Sequence, residues 1–251
     1  MRPKVETMSV PAELEAALAA AGFAVELFDR LPDVVFFAKD TAGRYVAVNR
    51  ALVQRLGMKE KADLLGRTTR DVFPAPLGER YLAQDLAVCR TGREISDLLE
   101  LHLYPDRLEG WCITEKVPIR GTAGSVIGLV GTSRDVHSPA DESAMEDLAE
   151  AVLHIREHVD RPLRVADLAA LAHLSEYRFA RRIRVLFGLT PTQLVIKTRI
   201  DAARGMLQDT EDPIGAIALA CGYCDQSAFT RKFKATVGLT PAQYRERSPR
   251  G

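Results

Sequence analysis

Two stretches of the chain, fifty residues apart, carry arginine and glutamine beside a repeated aromatic. Around Phe179 stand Tyr177, Arg178, Arg181 and Arg182. Around Phe229 stand Gln226, Ser227, Thr230 and Arg231, followed by Lys232 and Lys234. At helical spacing the apolar residues Phe179 and Ile183, or Phe229 and Phe233, form one stripe, and the polar residues are left to the other side. A guanidinium can fork onto the guanine edge, and a carboxamide onto the adenine edge, in a DNA major groove. Lysines and arginines nearby neutralise phosphate without reading sequence. These ten residues are the candidate DNA contacts. A solvated basic helix face would carry the same residue types, so the spacing alone leaves both readings open.

The flanking sequence favours the first. Residues 179–191, FARRIRVLFGLTP, repeat at 229–241 as FTRKFKATVGLTP. Upstream, LAALAHLS (168–175) pairs with IALACGYCD (217–225), one residue longer at its turn. Short helices are expected at 165–172 and 213–221, each ending in a tight turn. Ser175 and Asp225 then stand where an N-cap must accept a backbone N–H of the next helix. Thr190-Pro191 and Thr240-Pro241 each set a cap before a helix-starting proline. A helix, a tight turn and a capped helix with a basic outer side make a helix-turn-helix unit, here present twice.

Charge agrees with that division. The whole chain has 34 basic and 34 acidic residues. Residues 160–251 hold 15 Lys and Arg against 9 Asp and Glu, a net of +6, so the remainder carries −6. A basic part joined to an acidic part points to a polyanionic partner for the former.

The segment 145–247 resembles the DNA-binding domain of AraC/XylS-type transcription regulators. The match rests on LAALAHLSEYRFARRIRVLFG, TPTQLVIKTRIDAARGML and IALACGYCDQSAFTRKFKATVGLTPAQYR. The resemblance implies two helix-turn-helix units bridged by a long helix at about 191–208, with both recognition helices in successive major-groove segments on one side of the duplex. It supports the first outward residues of each recognition helix, and the Arg two positions after the core Phe, as contacts. Leu194 departs from the family's usual aromatic and Ile183 from its usual Phe; both keep the core apolar.

Before residue 139 the texture differs. Residues 11–22 read as a short helix with a glycine stop. Strand-like stretches follow at DVVFFAKD (33–40) and RYVAVN (44–49), then short helices (NRALVQRLG, KADLLG) and a longer one, LGERYLAQDLAVCRTG. On the longer helix Tyr81, Leu82, Leu86 and Val88-Cys89 form the apolar side. Three more strands are expected in REISDLLELHLYP, GWCITEKVPIRG and SVIGLVGTSRDV. This order predicts an α+β domain with an antiparallel sheet and helices on one face, followed by an all-α domain. GRYVAVNRALVQRLG, LLGRTTRDVFP, GWCITEKVP and GSVIGLVGTSRDV resemble a PAS sensor domain over about 24–136. That resemblance implies five antiparallel strands whose concave face can hold a small molecule. Phe37, Leu86, Cys89, Leu101, Trp111, Ile113 and Leu129 are the expected lining, though a filled core needs the same residue types. LLGRTTRDVF lacks the reactive Cys of the flavin-binding subclass, and no His lies between 24 and 101 to ligate haem, so no cofactor is expected.

The expected organisation is a helical extension (1–23), a PAS-like domain (24–137), a linker helix with the first helix of the next region (138–160), and tandem helix-turn-helix units (161–251). Met145, Leu148, Val152, Ile155 and Val159 give the linker its helical spacing. Other chemistry finds little support. Cys221-x-x-Cys224 has no second ligand pair for zinc, His154 and His158 lack carboxylate company, and no P-loop, GxSxG or HExxH occurs. The protein is expected to be no enzyme, to bind no metal, and to reside in the cytoplasm without contacting a membrane. Expected partners are double-stranded promoter DNA, a small-molecule effector, a second copy of the chain, and RNA polymerase. The alternatives are a constitutive DNA binder whose PAS-like domain only dimerises, and a PAS-containing signalling enzyme. The second lacks an ATP-binding motif.

Overall fold

The computed structural model describes residues 11–20, 22–103, 109–136 and 148–247. The chain divides into two compact units, 1–135 and 136–251. Met145 and the Ser138-Pro139 start signal of the expected linker helix lie outside the described residues.

The first unit begins with α1 (Ala12–Ala20) and α2 (Gly22–Phe28). Strands β1 (Val34–Asp40) and β2 (Tyr45–Val48) follow, then α3 (Arg50–Arg55), a single 3-10 turn at Lys61–Asp63, α4 (Thr69–Val72) and α5 (Leu77–Thr91). Strands β3 (Ile95–Leu103), β4 (Glu109–Arg120) and β5 (Val126–Asp135) complete an antiparallel sheet of order β2-β1-β5-β4-β3. Asn49 joins strand to helix. Its buried side chain accepts from Leu52 N at 3.3 Å as the cap of α3 and from Phe36 N at 3.0 Å, and it donates to the carbonyls of Phe28 and Val34 at 2.9 and 2.7 Å. Every polar atom of the carboxamide is used, which makes its burial tolerable.

Side chains alternate between the two faces of a strand. The register pairs Val35 with Ser133, Phe37 with Gly131 and Lys39 with Leu129 on one face, and continues it through Thr114 and Lys116 to Glu100 and His102. Helix α5 packs across this face. On the opposite face Phe36 stacks on Phe28 with ring centroids 4.6 Å apart, and a Cβ on Gly128 would come within 2.4 Å of the Lys39 carbonyl oxygen and 3.2 Å of a Leu14 methyl of α1.

The second unit is helical: α6 (Ala149–Glu157), α7 (Val165–Leu171), α8 (Glu176–Phe187), α9 (Pro191–Asp209), α10 (Ile214–Ala220), α11 (Gln226–Val237) and α12 (Pro241–Arg247). α6 buries Ala151, Val152 and Ile155. The repeat is structural as well as textual. Phe179 and Phe229 are fully buried, as are Ile183 and Phe233, and Leu189 and Leu239 are buried after each helix stop. The copies differ in what fills them. The second holds an aromatic ladder, Tyr223–Phe229–Phe233–Tyr244, with successive centroids 5.2, 5.4 and 5.6 Å apart. In the first, Ile183 and Leu194 stand where the second has Phe233 and Tyr244.

Candidate functional site

Helices α8 and α11 are each held at both ends by their own sequence. Ser175 Oγ accepts from Arg178 N at 3.4 Å, and Asp225 Oδ1 from Ala228 N at 2.7 Å. Gly188 and Gly238 stop α8 and α11 in the left-handed region, φ 67° and 88°. The bridging helix α9 starts with a reciprocal cap, in which Thr190 Oγ1 accepts from Gln193 N at 3.2 Å and Gln193 Oε1 from Thr190 N at 2.7 Å. Thr240 and Gln243 repeat this at α12, at 3.2 and 2.9 Å.

The turns match as closely. Leu174 N bonds Ala169 O at 2.9 Å, and Tyr223 N bonds Ala218 O at 3.0 Å. Both closures put the residue before them in the left-handed region, His173 at φ 53° and Gly222 at φ 76°. That conformation suits glycine and strains a residue with a Cβ. His173→Gly is therefore expected to stabilise the unit by about 0.5–1 kcal/mol, the relieved strain being partly offset by the freer unfolded chain. A midpoint in urea unchanged or lowered would contradict this.

With the caps and core fixed, the outward faces follow. Tyr177, Arg178, Arg181 and Arg182 are all exposed, Tyr177 by 77%. In α11, Gln226, Ser227, Arg231 and Lys234 are exposed, while Thr230 and Lys232 are half-buried. The i, i+4 rows opposite the core run Tyr177–Arg181–Val185 and Ser227–Arg231–Ala235. Val185, 74% exposed, and Ala235 were not among the sequence candidates. The signal that would have found them is the same spacing extended by one more turn.

The first unit encloses a cavity of about 40 Å³, lined on the apolar side by Val35, Phe37, Leu52 and Phe73. Its expected lining needs correction. Phe37 lines it, and Leu129 is fully buried on the same face of the sheet. Leu101, Trp111 and Ile113 are buried on the opposite face: Leu101 pairs with Trp111 and Leu99 with Ile113, one residue out of step with Glu100 and Thr114. Leu86 is 40% exposed, because α5 turns Asp85 inward instead. Cys89 is half-buried near the Asp40 carbonyl, and burial pushes its thiol up to about 11.

The sequence reading missed the polar groups on this face. Asp85 accepts from Lys39 Nζ at 2.5 Å and Lys116 Nζ at 2.7 Å, and Lys116 also donates to Gln84 Oε1 at 2.8 Å. Glu100 accepts from Arg80 and Gln84, both at 2.9 Å, and lies 3.4 Å from His102 Nε2. Burial opposes the charge on Asp85 and Glu100. The lysines nevertheless hold Asp85 below the usual carboxylate range, and His102, Arg80 and Lys116 bring Glu100 to about 2. The signal available in the sequence was parity: Lys39, Glu100, Thr114, Lys116 and Ser133 occupy matching positions of paired strands.

Among the described residues no group of three or more His, Cys, Asp or Glu side chains is placed to hold a metal ion, and no helix is long and apolar enough to cross a membrane. His154 and His158 stack at 4.2 Å, with His158 Nδ1 3.1 Å from the His154 carbonyl. Cys221 is buried and Cys224 exposed.

A five-stranded antiparallel sheet with helices over one face, and a helical unit with paired capped turns, define two known domain classes. Residues 28–141 match the family described as PAS fold, and residues 168–247 match that described as helix-turn-helix domain. The chain is 32% identical over 105 residues to the MmsAB operon regulatory protein of Pseudomonas aeruginosa, covering 42% of this chain and 34% of that protein. It is 26% identical over 173 residues to an AraC-like transcription regulator of Streptomyces antibioticus, covering 68% and 46%. It is also similar to the crystal structure of the DNA-binding domain of the global transcriptional factor AdpA in complex with a target DNA. There the identity is 34%, with 42% of this chain and 98% of that chain covered and a TM-score of 0.40. The chain spans less than half the length of these curated relatives. The second unit thus carries a region similar to the helix-turn-helix domain family, and the first a region similar to the PAS fold family.

Proposed function

We propose that the chain is a one-component transcription regulator. Residues 24–137 form the sensor, 138–160 relay its state, and 161–251 bind promoter DNA. The observation that carries this reading is the pair of capped helices whose outward rows hold Tyr177, Arg178, Arg181 and Arg182 on one and Gln226, Ser227 and Arg231 on the other. Thr230 and Lys232 flank the second row, and Lys234 meets phosphate. A neutral chain can serve this purpose because its basic excess is gathered in residues 160–251. The signal acts by favouring one of two states of the regulator, and the cavity in the PAS domain supports a small-molecule effector. Homodimerisation, contact with RNA polymerase and residence in the cytoplasm belong to the same proposal.

The test starts by selecting sequences bound by the full chain from random duplex DNA. On the selected site Arg231→Ala is expected to weaken binding by about 1–3 kcal/mol and to relax preference at one base pair. Lys234→Ala is expected to weaken all sequences alike and flatten the salt dependence. Binding by the Arg231 variant equal to that of the parent would remove Arg231 from the interface. Failure of selection to enrich any sequence would remove the regulator reading. The rival reading, a PAS domain that only dimerises, predicts that no small molecule changes DNA affinity.

A further inference from the structure

One apolar side chain on α8 has no account in the folding of the chain. Val185 is 74% exposed, and among the described residues only Tyr177, at 77%, is a more exposed large apolar side chain. Val185 adds nothing to the core, to which α8 contributes Phe179, Ile183 and Phe187. Local propensity does not favour it either, because a β-branched residue loses rotamer freedom in a helix and ranks below Ala, Arg and Lys there. Folding alone would accept a polar residue at this position, and the sequence places an isopropyl group.

Its place around the helix gives that group a meaning. Counting about 100° per residue from Tyr177, Arg181 falls at roughly 40°, Val185 at roughly 80°, Arg178 at roughly 100° and Arg182 at roughly 140°. On the same count Phe179, Ile183 and Phe187 fall at roughly 200°, 240° and 280°. Val185 therefore lies inside the arc of the four candidate DNA contacts and across the helix from the core row. Along the axis it stands about 6 Å beyond Arg181. Fifty residues on, the matching position holds Ala235, which is also apolar and exposed. A basic face made only for solvent has no use for an apolar group at its centre. A major groove does, because the thymine C5-methyl is the one apolar group among its base edges.

We propose that Val185 reads thymine, its isopropyl group packing on the C5-methyl of one thymine in the half-site that α8 enters. This rests on the reading of α8 as a helix in the major groove, and it makes Val185 a specificity-determining residue of that interface. The charges of Arg178, Arg181 and Arg182 draw the duplex to this face, and arginine on a base edge selects guanine. Val185 adds a preference that the arginines cannot supply, for a methyl-bearing base beside them.

The test uses the full chain and the duplex selected from random DNA. Each thymine of the selected site is replaced in turn by deoxyuridine, which pairs as thymine does and lacks only the methyl group. For the parent, at least one replacement is expected to weaken binding about three- to tenfold, the scale of one buried methyl group. In Val185→Ala that same replacement is expected to change nothing, because the methyl has lost its partner. Val185→Ala shortens an exposed side chain and improves helix propensity, so it folds. Val185→Ile keeps the apolar branch and is expected to retain the dependence. A loss that persists in Val185→Ala, or that disappears instead in Tyr177→Ala, overturns the proposal. A site that is bound with no thymine methyl mattering also overturns it, and leaves the regulator reading standing. Parent-like binding of every duplex by Val185→Ala, with a change only in the oligomeric state of the free chain, would place Val185 in a protein contact and overturn it too. If selection enriches no sequence, the regulator reading falls and this proposal with it.

Discussion

Asp85→Asn is expected to destabilise the first unit by about 3–5 kcal/mol, the range for removing one partner from a buried ionic group. Lys39 and Lys116 converge on this carboxylate, with side chains 2% and 4% exposed, and the carboxylate itself is fully buried. An amide of the same shape keeps one acceptor but takes from Lys39 and Lys116 the carboxylate that both bond. Urea unfolding of the variant, read by the near-ultraviolet signal of Trp111, measures the loss. A change under about 1 kcal/mol would mean that the lysines are already neutral. Acid gives an independent reading through Glu100. A carboxylate lowered in the folded state contributes its full stability above its unfolded pKa of about 4.3, and loses it as pH falls through the folded value, here about 2. The first unit should therefore weaken between about pH 4.5 and 2, and Glu100→Gln should flatten that part of the curve.

Gly222→Ala is the second large effect. An added Cβ would come within 2.2 Å of the Val159 carbonyl oxygen and 2.7 Å of an Arg199 guanidinium nitrogen, at φ 76°. The left-handed conformation costs a residue with a Cβ about 1–2 kcal/mol, and forced overpacking typically adds about 1–3, so a loss of about 2–5 kcal/mol is expected. The obstruction cannot move cheaply, because Arg199 donates to the Arg161 carbonyl at 2.6 Å and holds the chain between α6 and α7 against this turn. The paired substitution His173→Gly, at the matching position of the first copy, is expected to act in the opposite direction. Equal midpoints for parent and Gly222→Ala would show that the segment yields.

The contrast between these two sites indicates what the sequence could disclose. The repeat exposed the second unit almost completely: caps, glycine stops and the aromatic stripe are local signals, and they placed the helices within a residue or two. It did not disclose that His173 and Gly222 share one backbone conformation, because the copies differ in length at the turn. In the first unit alternation located the five strands, while α2 and α4 went unread and KADLLG proved to be one 3-10 turn. Short elements carry too few residues to show a period. The cavity was misjudged for a different reason. Hydrophobicity sends Leu86 inward and Asp85 outward, and the structure reverses them because the two lysines across the sheet need the carboxylate. Leu101, Trp111 and Ile113 are core residues as expected, but of the other face; composition shows that a residue is buried, and only register shows where.

Helix α9 gives the second unit a fixed dimension. Its 19 residues span about 28 Å, against about 34 Å for one turn of duplex DNA. Its first turn is locked by Thr190 and Gln193. Toward its far end Arg204 and Gln208 donate to the Tyr244 hydroxyl at 2.9 and 3.3 Å, tying it to α12. Helices α8 and α11 are thus mounted on a strut that cannot lengthen. Under the proposed function a duplex target must present its paired words at a set pitch, so spacing is part of the address along with the letters.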